Sequence, residues 1–355
     1  MTSLRLATLA LATLATSMPA SAYELGYRSG SALPQAWASS TVTLNVNPSD
    51  WASSSRRAAI EEAADAIWDN PTQFSILVQS DDDGAIGHNG ENELAFTSNP
   101  ALLCGPGCTH TWLSGDTIVE ADVYIENDTY SVGDSKSDNW SYAGNHRSLQ
   151  TLLIHELGHV AGLGHEDGNY SVMGEDWNVL HADLDDVTPY LDADSAAGLS
   201  QLYAAWEGFA DLSVSHWGYL GHSGSYSTHE RNIVEDSYGV QPWHTMVDRE
   251  PYYVLDAGQT FRFETTLENK SDTAHTVDIT IVASADAVIT SADTELARFE
   301  SWRLSPGVLE VMLPAALPDD MNGHYYIGAI VDASGDVSEW DETNNGQYLV
   351  ESYVW

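Results

Sequence analysis

The stretch HELGHVAGLGH, His155 to His165, puts three histidines and a glutamate into eleven residues. The run that leads into it, SLQTLLIHELGHV, has no proline and carries Leu152, Leu153 and Ile154 on a broad apolar side. That pattern predicts a buried helix from about Ser148 onward. His155 and His159 are then one turn apart on the same face, so both imidazoles can reach a single ion, and Glu156 stands beside it within hydrogen-bonding distance of an ion-bound water. A third ligand has to come from outside the helix. Gly162, three residues after His159, can adopt positive φ and turn the chain sharply, which swings His165 back toward the ion. Three neutral imidazoles around a tetrahedral ion leave one position open for water, the arrangement of a catalytic zinc site rather than a closed structural one.

His155, Glu156, His159, Gly162 and His165 together match HExxHxxGxxH, and on those residues the chain resembles the metzincin metallopeptidases. The stretch SVMGED places Met173 eight residues after His165, a spacing similar to that of the matrixin branch. The resemblance implies that Met173 is the hydrophobic floor of the metal site and not a ligand. It also implies one catalytic Zn(2+), with Glu156 as the base. A second, structural zinc is not expected, because His88 and His110 stand without convincing partners. The stretch NELAFTSNP, just before the strand containing EADVYI, resembles the edge strand that pairs with substrate backbone, which makes Leu94, Ala95 and Phe96 candidates for that role. Trp177 and the residues up to Tyr190 are expected to wall the pocket for the side chain after the cleaved bond.

The rest of the chain is consistent with a two-part protein of 355 residues, too long for one typical core. Residues 1–22 have Arg5, an apolar stretch from Leu6 to Leu14, and Ala20 and Ala22 before Tyr23, the pattern of a secretory signal and hence of an extracellular protein. Residues 23–207 read as an α+β metzincin-like catalytic domain, a mixed twisted sheet with a long active-site helix. Its strands are TVTLNV, FSILVQ and TIVEADVYIEN, the last alternating through Val119, Ala121, Val123 and Ile125. SSSRRAAIEEAADAIWDNP is an amphipathic helix, and LDADSAAGLSQLYAAW looks like the helix that closes a matrixin domain. Residues 208–355 change texture to short alternating segments separated by Gly, Pro, Asn and Asp, the pattern of an all-β immunoglobulin-like sandwich. Their last segment resembles CARDB-type domains. The change of period near Glu207 suggests that residues 23–207 cleave small peptides alone, the sandwich adding stability or attachment to a surface or polysaccharide through aromatics such as Trp217, Tyr219, Trp243, Tyr252 and Tyr253.

Charge sets further bounds. With 53 acidic and 12 basic residues the formal net charge is −41, which excludes nucleic acid as a partner. The acid is spread along both halves of a chain rich in Trp and Tyr, so it reads as a solvated surface suited to a saline environment and a prokaryotic source, not as disorder. Calcium is left unassigned, with Asp81 to Gly84 and the stretch ENDTYSVGDSKSD as the acidic segments that could bind it. No segment after the signal could span a bilayer. The salt reading makes a prediction. Thermal stability should rise from dilute buffer to molar sodium chloride, where the Debye length is about 3 Å, and a melting temperature that stays flat or falls across that series would count against it.

Cys104 and Cys108, the two cysteines, sit in LCGPGCTH and are expected to form a disulfide around a tight Gly-Pro-Gly bend. Two function classes follow. One is an exported zinc endopeptidase acting on proteins or peptides. The other is an adhesive or surface-binding protein that keeps a metal site without activity. Glu156 favours the first, because a purely structural site needs no base beside an open metal position.

Overall fold

The computed structural model describes residues 23–26, 29, 32–81, 87–127, 148–166, 171–174, 180–183, 186–215, 234–247 and 250–355. The signal segment, Trp177, Trp217, Tyr219 and most of both acidic stretches lie outside the described residues.

The first unit contains strands β1 (Ala36–Trp37), β2 (Thr41–Val46), β3 (Ser75–Gln79), β4 (Glu93–Thr97), β5 (Gly107–Ser114) and β6 (Thr117–Glu126). Its helices are α1 (Pro48–Trp51), α2 (Ser54–Trp68), α3 (Leu149–Val160) and α4 (Ala193–Leu202), and a small hairpin, β7 (Leu180–Asp183) and β8 (Asp186–Pro189), precedes α4. The main sheet runs β1-β6-β4-β2-β3, all parallel, with β5 antiparallel on the other side of β6. Helices α2 and α3 share one core with the sheet: Ile60, Ala63 and Ile67 of α2 and Leu149, Leu152, Leu153 and Leu157 of α3 pack with Val42, Leu44, Val46, Ala121, Val123 and Ile125. Helix α2 begins where expected because Ser53 caps it, its Oγ accepting from the Arg56 amide.

Two sequence expectations about this sheet need correction. Leu94, Ala95 and Phe96 lie in β4, which is between β6 and β2 and not at an edge. Leu94 is buried in the core, its carbonyl accepts from the Asn47 amide, and the Phe96 amide donates to Asp50. These backbone groups are engaged within the fold. The edges are β3 on one side and β5 on the other. The expected alternation of β6 also breaks at its start: a bulge opposite Trp112 and Leu113 skips Val119, which turns outward while Ile118 turns in. An extra residue in one strand reverses the phase of everything before it.

The second unit is all β. Strands β9 (Leu212–Ser215), β10 (Val234–Glu235), β13 (Thr260–Asn269) and β16 (Gly307–Ala316) form one sheet. The other runs β11-β12-β18-β17-β14-β15, made of β11 (His244–Val247), β12 (Glu250–Leu255), β14 (His275–Ser284), β15 (Thr294–Leu304), β17 (Gly323–Val331) and β18 (Gly346–Val354). Phe261, Phe263, Leu267 and Leu313 from the first share a core with Ile279, Ile281, Ile327, Ala329 and Val350 from the second. Tyr253 belongs to this core rather than to a surface patch, whereas Trp243 is exposed.

The two units meet along a seam that contains charge. Lys270, one of two lysines in the chain, is buried with Nζ 2.6 Å from Asp69 at the end of α2 and 2.9 Å from Asp211 in the connecting segment. Burial alone would lower its pKa, but Asp211 and Asp69 reverse the sign and hold it protonated. Beside it, Trp340 packs edge-on against Trp206 and at a tilt on Phe209.

Candidate metal centre

Helix α3 starts at an N-cap, Ser148, whose Oγ accepts from the Thr151 amide, and all its residues but His159 are buried. It therefore holds His155 and Glu156 in a fixed register against the core. At the other end its last carbonyls are not left bare: the Trp37 indole donates to the Val160 carbonyl at 2.7 Å and the Tyr203 hydroxyl to that of Ala161 at 2.8 Å. The chain then turns at Gly162, with φ of 99°. A Cβ there would stand 2.6 Å from the Gln35 carbonyl oxygen, so glycine is required for space as well as for conformation. The turn is clamped from outside by the segment after Tyr23, where the Gly26 amide donates to the Gly162 carbonyl and the Gly164 amide to that of Glu24, both at 2.8 Å.

His165 is thereby brought to His155 and His159, the ring centroids standing 4.7 to 5.2 Å apart. One ligand nitrogen from each ring lies within 4.8 Å of the others. The tautomers follow from the partners. Nδ1 of His155 is 2.8 Å from the Val172 carbonyl and Nδ1 of His159 is 2.9 Å from the Leu163 carbonyl. A carbonyl only accepts, so each Nδ1 carries the proton and each neutral ring turns its Nε2 lone pair inward. Burial pushes the His159 pKa down to about 4, which keeps the ring neutral. The two Nε2 atoms stand 3.2 Å apart. Two nitrogens on one tetrahedral zinc at about 2.0–2.1 Å are about 3.3 Å apart. Two lone pairs facing each other at that distance repel unless a cation lies between them, so the donor set fits zinc.

Glu156 faces the same cleft from the helix. Thr109 of β5 places its hydroxyl 2.7 Å from Glu156 Oε2. Burial pushes the Glu156 carboxyl up to about 7, against the pull of that hydrogen bond. Backbone contact is equally close, since a Cβ on Gly107 would stand 2.5 Å from Glu156 Oε1. Met173 lies under the helix at Gly158, where a Cβ would meet its Sδ at 2.3 Å. Glycine in the middle of a helix costs about 1 kcal/mol relative to alanine, and here it gives Met173 its seat beneath the histidines. The turn carrying Met173 is held by Asp192, the N-cap of α4, whose carboxylate accepts from the Val172 amide at 2.8 Å and the Ser171 hydroxyl at 3.1 Å.

These groups line a cleft of about 690 Å³ whose walls include Gln35, Cys104 to Gly107, Thr109, Thr111, the three histidines, Glu156 and Gly174. Cys104 and Cys108 are disulfide-bonded, with Cα atoms 5.3 Å apart, so the bridged loop forms part of the rim. The structure thus brings together His155, Glu156, His159, His165 and Met173. It leaves Leu94, Ala95 and Phe96 out of the cleft. Thr109, Gly107 and Asp192 were missed from sequence. Only the S-x-x-D pattern reversed at Asp192, an acidic N-cap before an apolar run, offered a signal.

Residues 36–204 match the matrixin family of peptidases. This unit is matrixin-like. The match runs from β1 to just beyond α4 and encloses the three histidines, Glu156, Thr109 and Met173. The family implies zinc and supports a metallopeptidase. No curated protein matches the chain. Solved structures similar to it include the CARDB domain of a Pyrococcus furiosus protein in complex with di-metal ions, at 17% identity over 41% of this chain and 90% of that one, with a TM-score of 0.25. Another is an AA10 lytic polysaccharide monooxygenase from Streptomyces lividans, at 17% identity over 38% and 70%, with a TM-score of 0.19. Among the described residues of the matrixin-like chain, no helix is long and apolar enough to cross a membrane.

Proposed function

We propose that the chain is an exported zinc-dependent endopeptidase, with His155, His159 and His165 as ligands, Glu156 as general base and a CARDB-like sandwich in residues 208–355. The observation that carries this reading is Glu156 held by Thr109 in the same cleft as three inward-facing imidazoles. Zinc would polarise the scissile carbonyl and acidify a water at its open position. Glu156 takes the proton from the attacking water and returns it to the departing amine nitrogen. Its raised pKa suits both halves of that transfer. Thr109 keeps the carboxylate from rotating away. Edge strand β5 presents Gly107, Thr109 and Thr111 along the cleft, so an extended peptide adding to that edge would lie across the histidines.

The test is incubation of the purified full-length protein with a diverse peptide library, read by mass spectrometry with and without a zinc chelator. Internal cleavages that the chelator abolishes are expected. Intact peptides in the presence of zinc-loaded protein would favour the adhesive reading instead.

A further inference from the structure

Behind the metal centre the first-unit residues do not stop at solvent. They stop at the second unit. Glu268 of β13 is fully buried and reaches across the seam, where Oε2 accepts from the amide of Ala193, the first residue of α4, at 2.6 Å. Its other oxygen accepts from the hydroxyls of Tyr190 and Ser215. Ala193 adjoins Asp192, whose carboxylate holds the Val172 amide and the Ser171 hydroxyl. The Val172 carbonyl in turn receives the Nδ1 proton of His155. The hydrogen bonds on this path are 2.6 to 3.1 Å long and made by buried groups, and the backbone of Asp192–Ala193 and of Val172 joins them.

A carboxylate at a helix N-terminus satisfies an amide that has no partner inside the helix and is favoured by the helix dipole. Helix α4 has an acidic N-cap of its own in Asp192, which is committed to the methionine turn as well as to the Ser195 amide. The second carboxylate, 75 residues from Ala193 in sequence, takes the one amide of the first turn that adjoins Asp192, which itself takes that of Ser195. An outer partner that orients a ligating histidine commonly changes metal affinity by about 10–100-fold.

We propose that Glu268 is a positioning residue for the metal centre: from the second unit it fixes the start of α4, and through Asp192 and Val172 it sets the orientation of His155. The proposal rests on the zinc reading of the three histidines. It runs against the expectation that residues 23–207 work alone, since a chain ending at Glu207 lacks Ser215 and Glu268.

The experiment uses the full-length protein and readouts that need no hydrolysis: zinc affinity by competition with a chelating dye, and the visible absorption of the cobalt-substituted protein. Glu268→Ala is expected to weaken zinc binding by up to about tenfold, the low end of what a direct partner of a ligating histidine contributes, and to shift the cobalt bands. Glu268→Gln, which keeps an oxygen for the Ala193 amide, should lose less. Trp340→Ala, at the same seam but off this chain of bonds, should lower the melting temperature and leave zinc affinity and the cobalt bands unchanged. A folded Glu268→Ala protein with wild-type affinity and spectrum would overturn the proposal. If that variant does not fold, hydrogen exchange of the wild type decides, because coupling is reciprocal. Zinc should slow exchange at the Ala193 amide and along β13, and protection confined to residues 155–174 would overturn the proposal equally. Zinc binding without any peptide cleavage would count against the peptidase and leave this inference intact, whereas a wild-type chain that binds no zinc would remove both.

Discussion

Glu156→Gln is expected to retain about one zinc per chain and to lose peptide hydrolysis by about 10²- to 10⁴-fold, the usual contribution of a general base. The side chain keeps its size and can still accept from Thr109, so the cleft does not rearrange. What it loses is the capacity to take a proton from water. Because the chemical step alone is affected, the loss should appear in kcat with KM little changed. Zinc content by atomic absorption and steady-state kinetics on any peptide found to be cleaved make the comparison. Near-normal turnover would remove Glu156 from the mechanism, and loss of zinc would move it into the ligand set.

His159→Ala is expected to lose metal and activity together. It removes one of three nitrogens and leaves only His155 and His165, whose ring centroids are 5.2 Å apart. Zinc affinity should fall by more than the roughly 10–100-fold that altering an outer partner costs. The melting temperature of the wild type should rise when zinc is added, as for any ligand that binds only the native state, and that rise should vanish in the variant. Stoichiometric zinc in His159→Ala would show that the ion sits elsewhere.

The local parts of this molecule were legible in its sequence, and the long-range parts were not. Helix α3 and its ligands follow from spacing within eleven residues, and the turn at Gly162 has the positive φ its position required. The disulfide followed from two cysteines flanking a Gly-Pro-Gly bend. Strand β5 was hidden because its inward face is Gly107 and Thr109, residues chosen to fit against Glu156 rather than to bury apolar surface. Without an alternating apolar signal nothing in the sequence marks it as a strand, and the resemblance put the edge at β4 instead. Nothing in β4 itself says that β2 and β6 flank it in parallel, since parallel neighbours are joined through distant crossovers. Glu268 was invisible for the same reason: a glutamate in an alternating strand reads as the solvent face until the partner unit is placed over it.

The lysine at the seam bears on how the two units hold together as salt is added. Dissolved ions screen charges that touch water, and on a surface this acidic that screening removes self-repulsion along with any attraction between exposed pairs. Lys270 is 2% exposed and Asp211 is fully buried, while Asp69 keeps about a quarter of its side chain in contact with solvent. Its attraction for Asp211 is therefore screened far less by salt than that of an exposed pair. A chain with few cations has placed one where dissolved salt weakens its effect least, at the junction between the two units.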